Sequence, residues 1–408
     1  MRRRTFVIAA VTAAIACVDA PRTERVPADA FFSVGVVLNS GNIPQSSNTV
    51  KLAFAGGKPG PGVVVAQRVD APITVDGDAS DWAGIPGSTI PLLSPFGILG
   101  LSKQDTINLY TAYWVATGNC PPLPAACSRT IPTYDFGVPQ ITVKAAWDGD
   151  RLWMLLQWAD PDETRDARPW IYQASTGKWV RDTIDEDKAF VSFDLGGTFK
   201  AHDSVGCAAG CHIKDGMNDP TRAADTTRFR MHTEVAGERV DHWYWRAART
   251  DPLGLADDQF WDEVGVRGDC PDPPACSQLL YSDPTTAPPG VSCATSTATG
   301  VTTYVPPCSK SMNVTNGSSG PTFYGADGVN SSPPFIFYDG FASPKVLPFP
   351  TTDTPVDGAR IPSVMLQRPS ANRDHVHAQG QWRNGVWTVE LERKLVTDDP
   401  NDAQFPIQ

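Results

Sequence analysis

Thr142-Val143-Lys144-Ala145-Ala146-Trp147-Asp148-Gly149-Asp150-Arg151-Leu152-Trp153-Met154-Leu155-Leu156-Gln157-Trp158 decides the fold class of this chain. Two runs of strand-forming residues flank Asp-Gly-Asp, and an Asp-Gly step between such runs is among the strongest local hairpin signals. The same arrangement recurs late in the chain, where Gly380-Gln381-Trp382 and Val386-Trp387-Thr388-Val389-Glu390-Leu391 flank Asn384-Gly385. Working outward, Ile73 to Asp78 reads as a strand running into a turn, with Asp81-Trp82 as a packed corner, and Ala189 to Asp194 reads as another strand. No long stretch has the three-and-four apolar spacing of an amphipathic helix. The 34 Gly and 37 Pro among 408 residues favour turns instead. These signals imply a mostly β protein, an antiparallel β-sandwich with short helices.

The N-terminus reads as an export signal over residues 1–20. Arg2-Arg3-Arg4 precede a short apolar run from Phe6 to Ala16, which is too short to span a bilayer. The run ends at Ala14-Ile15-Ala16-Cys17, similar to the lipobox of bacterial lipoproteins, so lipidation at Cys17 and plain cleavage near Ala20 both stand as expectations. Residues 21–65 read as an extended lead-in or linker with one apolar run, Phe31 to Leu38, that can contribute a strand. Residues 66–408 read as the sandwich domain, interrupted by loop-rich insertions at 115–138 and 266–350. An exported protein meets an oxidising compartment, which favours disulfides. With Cys17 set aside, the nearest pairs are Cys120–Cys127, Cys270–Cys276 and Cys293–Cys308, although connectivity does not follow from sequence. The formal net charge of −11 argues against a nucleic-acid groove, which needs clustered Lys and Arg. Membrane contact is expected only through a lipid at Cys17, with a periplasmic or cell-surface location.

Cys207-Ala208-Ala209-Gly210-Cys211-His212 carries the chemistry. Two thiols followed at once by an imidazole are what covalent haem attachment requires: the thiols add across two vinyl groups, and the histidine reaches the iron. The usual spacing is C-x-x-C-H, and here three residues separate the cysteines. On a helix, residues four apart share a face, so both sulfurs still meet one porphyrin edge. Two other readings stay open at this point, a small-loop disulfide between Cys207 and Cys211, and a zinc site that adds His202. Asp257 and Asp258 read as turn or cap residues, and His375 and His377 as surface histidines one strand step apart.

The stretch Glu238 to Arg249, with Asp241-His242-Trp243-Tyr244-Trp245-Arg246, and Ala256-Asp257-Asp258-Gln259 resemble the ethylbenzene-dehydrogenase-type haem-binding domain. The resemblance extends to Ile73 to Trp82, to Val143 to Trp147 with Leu152-Trp153, and to Gly385 to Glu390 with Arg393-Lys394-Leu395. It implies a β-sandwich that holds haem between sheet edges and loops. It also implies a c-type member with one covalent haem, carried by Cys207 and Cys211, and with His212 as proximal iron ligand. Family members often have Trp-His-Trp where this chain has Trp243-Tyr244-Trp245. They also continue for one or two strands beyond the position of Leu395, so either the sandwich closes differently here or the sequence is a fragment.

For the iron's other face, Met217 is too close in sequence to His212 to pass round the ring. Met231 has ample reach, and the resemblance places a Met near it, with His232, His242 and Lys394 as rivals. The function expected is an exported monohaem cytochrome passing single electrons to or from a redox enzyme, with a molybdoenzyme as the candidate class, and with no substrate conversion of its own. The alternative from another class is a carbohydrate-binding sandwich, with exposed tryptophans stacking on sugars and Cys207–Cys211 as a structural disulfide.

Overall fold

The structure, a computed structural model, describes chiefly residues 25–37, 45–54, 58–93, 95–98, 140–165, 170–175, 178–181, 184–210, 231–268 and 371–408, with short pieces between 281 and 366. The strands of its main sheet are β1 (Ala30–Val37), β2 (Gln45–Ser46), β3 (Val50–Ala53), β4 (Val63–Arg68), β5 (Ser88–Pro91), β6 (Gln140–Trp147) and β7 (Arg151–Ala159). Then come β8 (Lys188–Asp194), β9 (Val240–Arg246), β10 (Asp257–Asp262), β11 (Gly265–Gly268), β12 (His377–Arg383) and β13 (Val386–Lys394). They pair in the order β11-β10-β9-β8-β1-β3-β4-β6-β7-β13-β12, with β2 beside β1 and β5 beside β6.

Both expected hairpins form. At the first, Asp148 Oδ1 accepts from the backbone N–H of Asp150 and of Arg151, each at 2.9 Å, and β6 pairs with β7 from Trp147 and Leu152 outward. At the second, Asn384 (φ 52°) and Gly385 (φ 79°) both take positive φ, the pair of conformations that a tight hairpin turn demands.

The long sheet folds over itself into two layers. Rings of Trp245 on β9 and Trp387 on β13 lie 5.1 Å apart, and Trp158 on β7 lies 6.2 Å from Trp245, although these strands stand far apart in the pairing order. The first layer is β11-β10-β9-β8-β1-β3, and the second is β6-β7-β13-β12 with β5. Strand β4 joins them by pairing with β3 through Val63–Val65 and with β6 through Ala66–Arg68. The free edges meet again, since Ala256 N–H donates to Val376 O and Ala378 N–H to Gly254 O, each at 3.0 Å. Val34, Val191, Trp243, Leu156, Val389 and Leu391 belong to the single apolar core between the layers. Each such buried side chain contributes roughly 1.5–3 kcal/mol.

The structure corrects four expectations. The sandwich is not wholly antiparallel, because both ladders of the corner strand β4 are parallel. Residues 30–53 are more than a lead-in: β1 sits between β8 and β3 in the first layer, with Phe32, Val34 and Val36 in the core. Asp257 and Asp258 are not turn residues but buried members of β10. His375 precedes β12 while His377 begins it, so they do not form a strand pair. Cys17, Cys120, Cys127, Cys211, Cys270, Cys276, Cys293 and Cys308 lie outside the described residues, and with them the disulfide expectations.

Candidate functional site

Strands of a two-layer sandwich normally turn alternate residues to solvent. In the first layer that second face is buried as well. Phe190 and Ser192 on β8, His242 on β9, and Gln259 and Trp261 on β10 face away from the core, and each is at most 7% exposed. What covers them is the segment that leads into the cysteine motif. Asp194 Oδ1 accepts from Phe199 N–H at 2.9 Å, turning the chain after β8. A helical turn, His202–Val205, follows and runs into a 3₁₀ turn, Gly206–Gly210.

Cys207 is 1% exposed within an apolar cluster that includes Val37, Phe190, Phe199, Val240 and Trp261, with Met231 and Tyr244 packed against it. The segment Met231–Thr233 returns to the same place. His232 N–H donates to Gly210 O at 3.0 Å, and Thr233 N–H donates to Asp262 O at 2.9 Å. The residue before Cys211 is thus stitched to the residue after Met231. Cys211, His212 and Met217 lie outside the described residues. Lys394 is exposed at the end of β13, paired with Arg151 in the second layer, and is not brought to this face.

Three histidines converge on the covered face. His242 stacks 4.9 Å from Trp261 and 5.4 Å from both Phe190 and Tyr244. Burial, with help from the charges of Arg246 and His202, pushes its pKa down to about 3. His202 Nε2 lies 3.2 Å from Ser192 Oγ, and burial lowers its pKa to about 4. Both rings are therefore neutral at pH 7. His232 Nδ1 lies 2.7 Å from Thr233 O, so that nitrogen carries the proton and donates. The Nδ1 atoms of His202 and His242 and the indole N–H of Trp261 have no hydrogen-bond partner among the described residues. A buried polar group left this way costs about 1–3 kcal/mol, which makes this face an expensive one to build for packing alone. The donor set of thiol, thioether and neutral imidazole against apolar walls fits a haem-type group.

The zinc expectation gains nothing here. Among the described residues, the one set of three ligating side chains with donor atoms within 4.8 Å of one another is Asp258, His375 and Asp402. Neither Cys207 nor His202 belongs to it. That set lies beside Arg393, whose Nη1 is 2.6 Å from Asp241 Oδ2 and 3.5 Å from Asp402 Oδ1. His375 Nδ1 lies 3.2 Å from Asp402 Oδ2, which raises the pKa of that histidine. The backbone N–H of Ala403 also donates to Asp241 Oδ2, at 2.8 Å. The cluster is thus a charge network fixing the C-terminal segment to β9.

The sugar-binding alternative required exposed tryptophans. Trp82, Trp147, Trp153, Trp158, Trp243, Trp245, Trp261 and Trp387 are buried and Trp382 is partly so, which leaves none of these nine to stack on a sugar as a freely exposed ring. Trp82 is fully enclosed, with its indole N–H donating to Glu390 Oε1 at 2.7 Å.

A two-layer β-sandwich with Cys207 buried in a turn over one covered sheet face defines the class of this protein. The chain belongs to the ethylbenzene dehydrogenase family, which matches residues 79–408. Strands β1 to β4 lie upstream of the matched region. No curated protein matches the chain. Membership corrects one expectation outright: a chain with no enzymatic role is overturned by a family that is an enzyme family, that of a dehydrogenase. The protein is redox-enzyme-associated, and its family works in redox complexes.

Proposed function

We propose that this chain is the haem-bearing part of an exported oxidoreductase. Cys207 and Cys211 would hold one haem c covalently, with His212 as proximal ligand and Met231 as distal ligand. The observation that carries this reading is the burial of Cys207 in the same apolar cluster that Met231 packs against, on a face where the Nδ1 atoms of His202 and His242 lack partners among the described residues. When bound, the haem supplies one-electron chemistry, and a thioether ligand raises its potential relative to two imidazoles. The chain's own contribution is to anchor one edge through the thiols and to exclude water with Phe190, Val240 and Trp261. It also keeps His202 and His242 uncharged by burial. His232 is the chief rival to Met231, because a ligating imidazole commonly donates its other N–H to a carbonyl, as His232 Nδ1 does to Thr233 O. The redox partner belongs to the same reading, with a molybdoenzyme as the class to test. So does export, with a lipid at Cys17.

Expression in a host with haem-maturation machinery, followed by denaturation and a gel stain for covalent haem, tests the proposal. The stain is expected, and Cys207→Ala with Cys211→Ala should abolish it. A blank lane beside a haem-positive control sinks the proposal. Met231→Ala should remove the near-infrared thioether-to-iron band; a band that persists moves the distal role to another residue.

A further inference from the structure

We propose that the three-residue spacer of the cysteine motif is a fitted turn, gripped by glycines at 206 and 210. On this view the fit, rather than tolerance, sets the spacing between Cys207 and Cys211. The inference rests on the reading of those cysteines as the attachment residues, and it adds β1 and the chain just after it, upstream of the family match, to the machinery that places them.

At the first end, Gly206 has φ 60° and ψ −145°, a conformation essentially closed to residues with a Cβ. Space forbids a side chain too. A Cβ there would lie 2.5 Å from the backbone oxygen of Ser47 and 2.6 Å from Ser33 Oγ. Neither neighbour can yield, because they hold each other. Ser33 Oγ–H donates to Ser47 O at 2.9 Å, Val34 N–H donates to Ser47 Oγ at 3.0 Å, and Ser47 N–H donates to Val34 O at 2.8 Å.

At the other end, a Cβ on Gly210 would lie 2.9 and 3.0 Å from ring carbons of Trp261 and 3.2 Å from His232 O. Trp261 is itself fully buried in β10. Between the glycines, Cys207, Ala208 and Ala209 are at most 2% exposed, so the turn has no slack. Removing one alanine to give the commoner two-residue spacer must either draw Cys207 out of its cluster or break the Gly210–His232 bond. The commoner motif is therefore the worse one in this frame.

The test compares the full chain with Gly206→Ala, with a deletion of Ala209, with Gly210→Ala, and with the double variant Gly210→Ala/Trp261→Leu. Two quantities are read: covalent haem per chain after maturation, and the alkylation rate of Cys207 by iodoacetamide in reduced, haem-free protein. Gly206→Ala and the deletion should lower haem loading and raise alkylation by about tenfold or more, in line with the cost of a strained backbone position. Gly210→Ala should act in the same direction, and removing the indole in the double variant should restore at least half of the loss. That rescue is a result which general destabilisation does not produce, and it keeps the proposal decidable if Gly206→Ala does not fold. Unchanged loading and alkylation in the deletion, or no rescue in the double variant, would overturn the fitted turn. A wild-type chain without covalent haem defeats the proposed function instead, while the alkylation rates still decide whether the turn is fitted.

Discussion

Each layer of the sandwich carries a cover on its outer face, and the two covers are built to opposite standards. On the second layer, residues 73–85 lay Ile73, Trp82 and Ile85 against Trp153 and Leu155. The carboxylate of Glu390 beneath them is fully engaged. Its Oε1 takes the Trp82 indole N–H at 2.7 Å, and its Oε2 takes the backbone N–H groups of Asp76 and Gly77 at 2.8 and 2.6 Å. On the first layer, the cover 199–210 with 231–233 leaves ring nitrogens of His202, His242 and Trp261 without partners. A buried carboxylate with both oxygens matched is architecture; unmatched ring nitrogens around a cysteine mark a place prepared for something else.

The largest effect should come from the architectural side. Trp82→Ala removes a fully buried indole and should cost about 3–5 kcal/mol in urea unfolding. Glu390→Ala strands three donors and should cost at least about 2 kcal/mol by the same measurement. If either change is nearly silent, the 73–85 segment is not a structural lid and the contrast between covers fails.

The architectural cover and its hairpins were legible in sequence, because their signals are local. Asp-Gly and Asn-Gly steps fix the turns, and the stretches Ile73–Trp82 and Gly385–Glu390 were both noted, although nothing in either said that a carboxylate joins them. The cysteine motif was equally visible, and so was His242. The outer-face burial that gives those residues meaning was not. It depends on pairing between β1 and β8, whose register sets Ser33 opposite Ser192 and Gly35 opposite Phe190 across more than a hundred residues, and on a turn docking over that surface. The parallel corner at β4 was hidden for the same reason: its partners are chosen by tertiary packing, which no local period reports. From sequence, His202 reads only as a zinc ligand, and Trp261 as core packing or the lining of a haem pocket.

The functional cover has a pH signature of its own. His202 has a folded pKa lowered to about 4 from an ordinary value of 6.5. Below pH 6.5 the unfolded chain takes up a proton that the folded one refuses, so stability falls with acidification until about pH 4 and then levels. The slope approaches about 1.4 kcal/mol per pH unit at most for this one group. His202→Leu should lower the slope by up to about 1.4 kcal/mol per pH unit when haem-free protein is unfolded between pH 4 and 7, leaving the contribution of His242, whose folded pKa of about 3 acts in the same direction. An unchanged slope would mean that His202 is not the buried neutral ring described here.

The smallest expected change is the most discriminating. In His242→Phe, the new ring sits among Phe190, Tyr244 and Trp261, where the imidazole already stacks, and it lacks the nitrogen that has no partner. Replacing a buried polar group by an apolar one of similar shape is close to neutral, so haem-free stability should move by less than about 1 kcal/mol, in either direction. An apolar exchange at Glu390 on the second layer has no such licence, because both of its carboxylate oxygens are matched. A loss from His242→Phe approaching that from Trp82→Ala would show that the imidazole is bound into the fold after all. The two covers would then be the same kind of structure, and the case for a ligand on the first layer would rest on the cysteines alone.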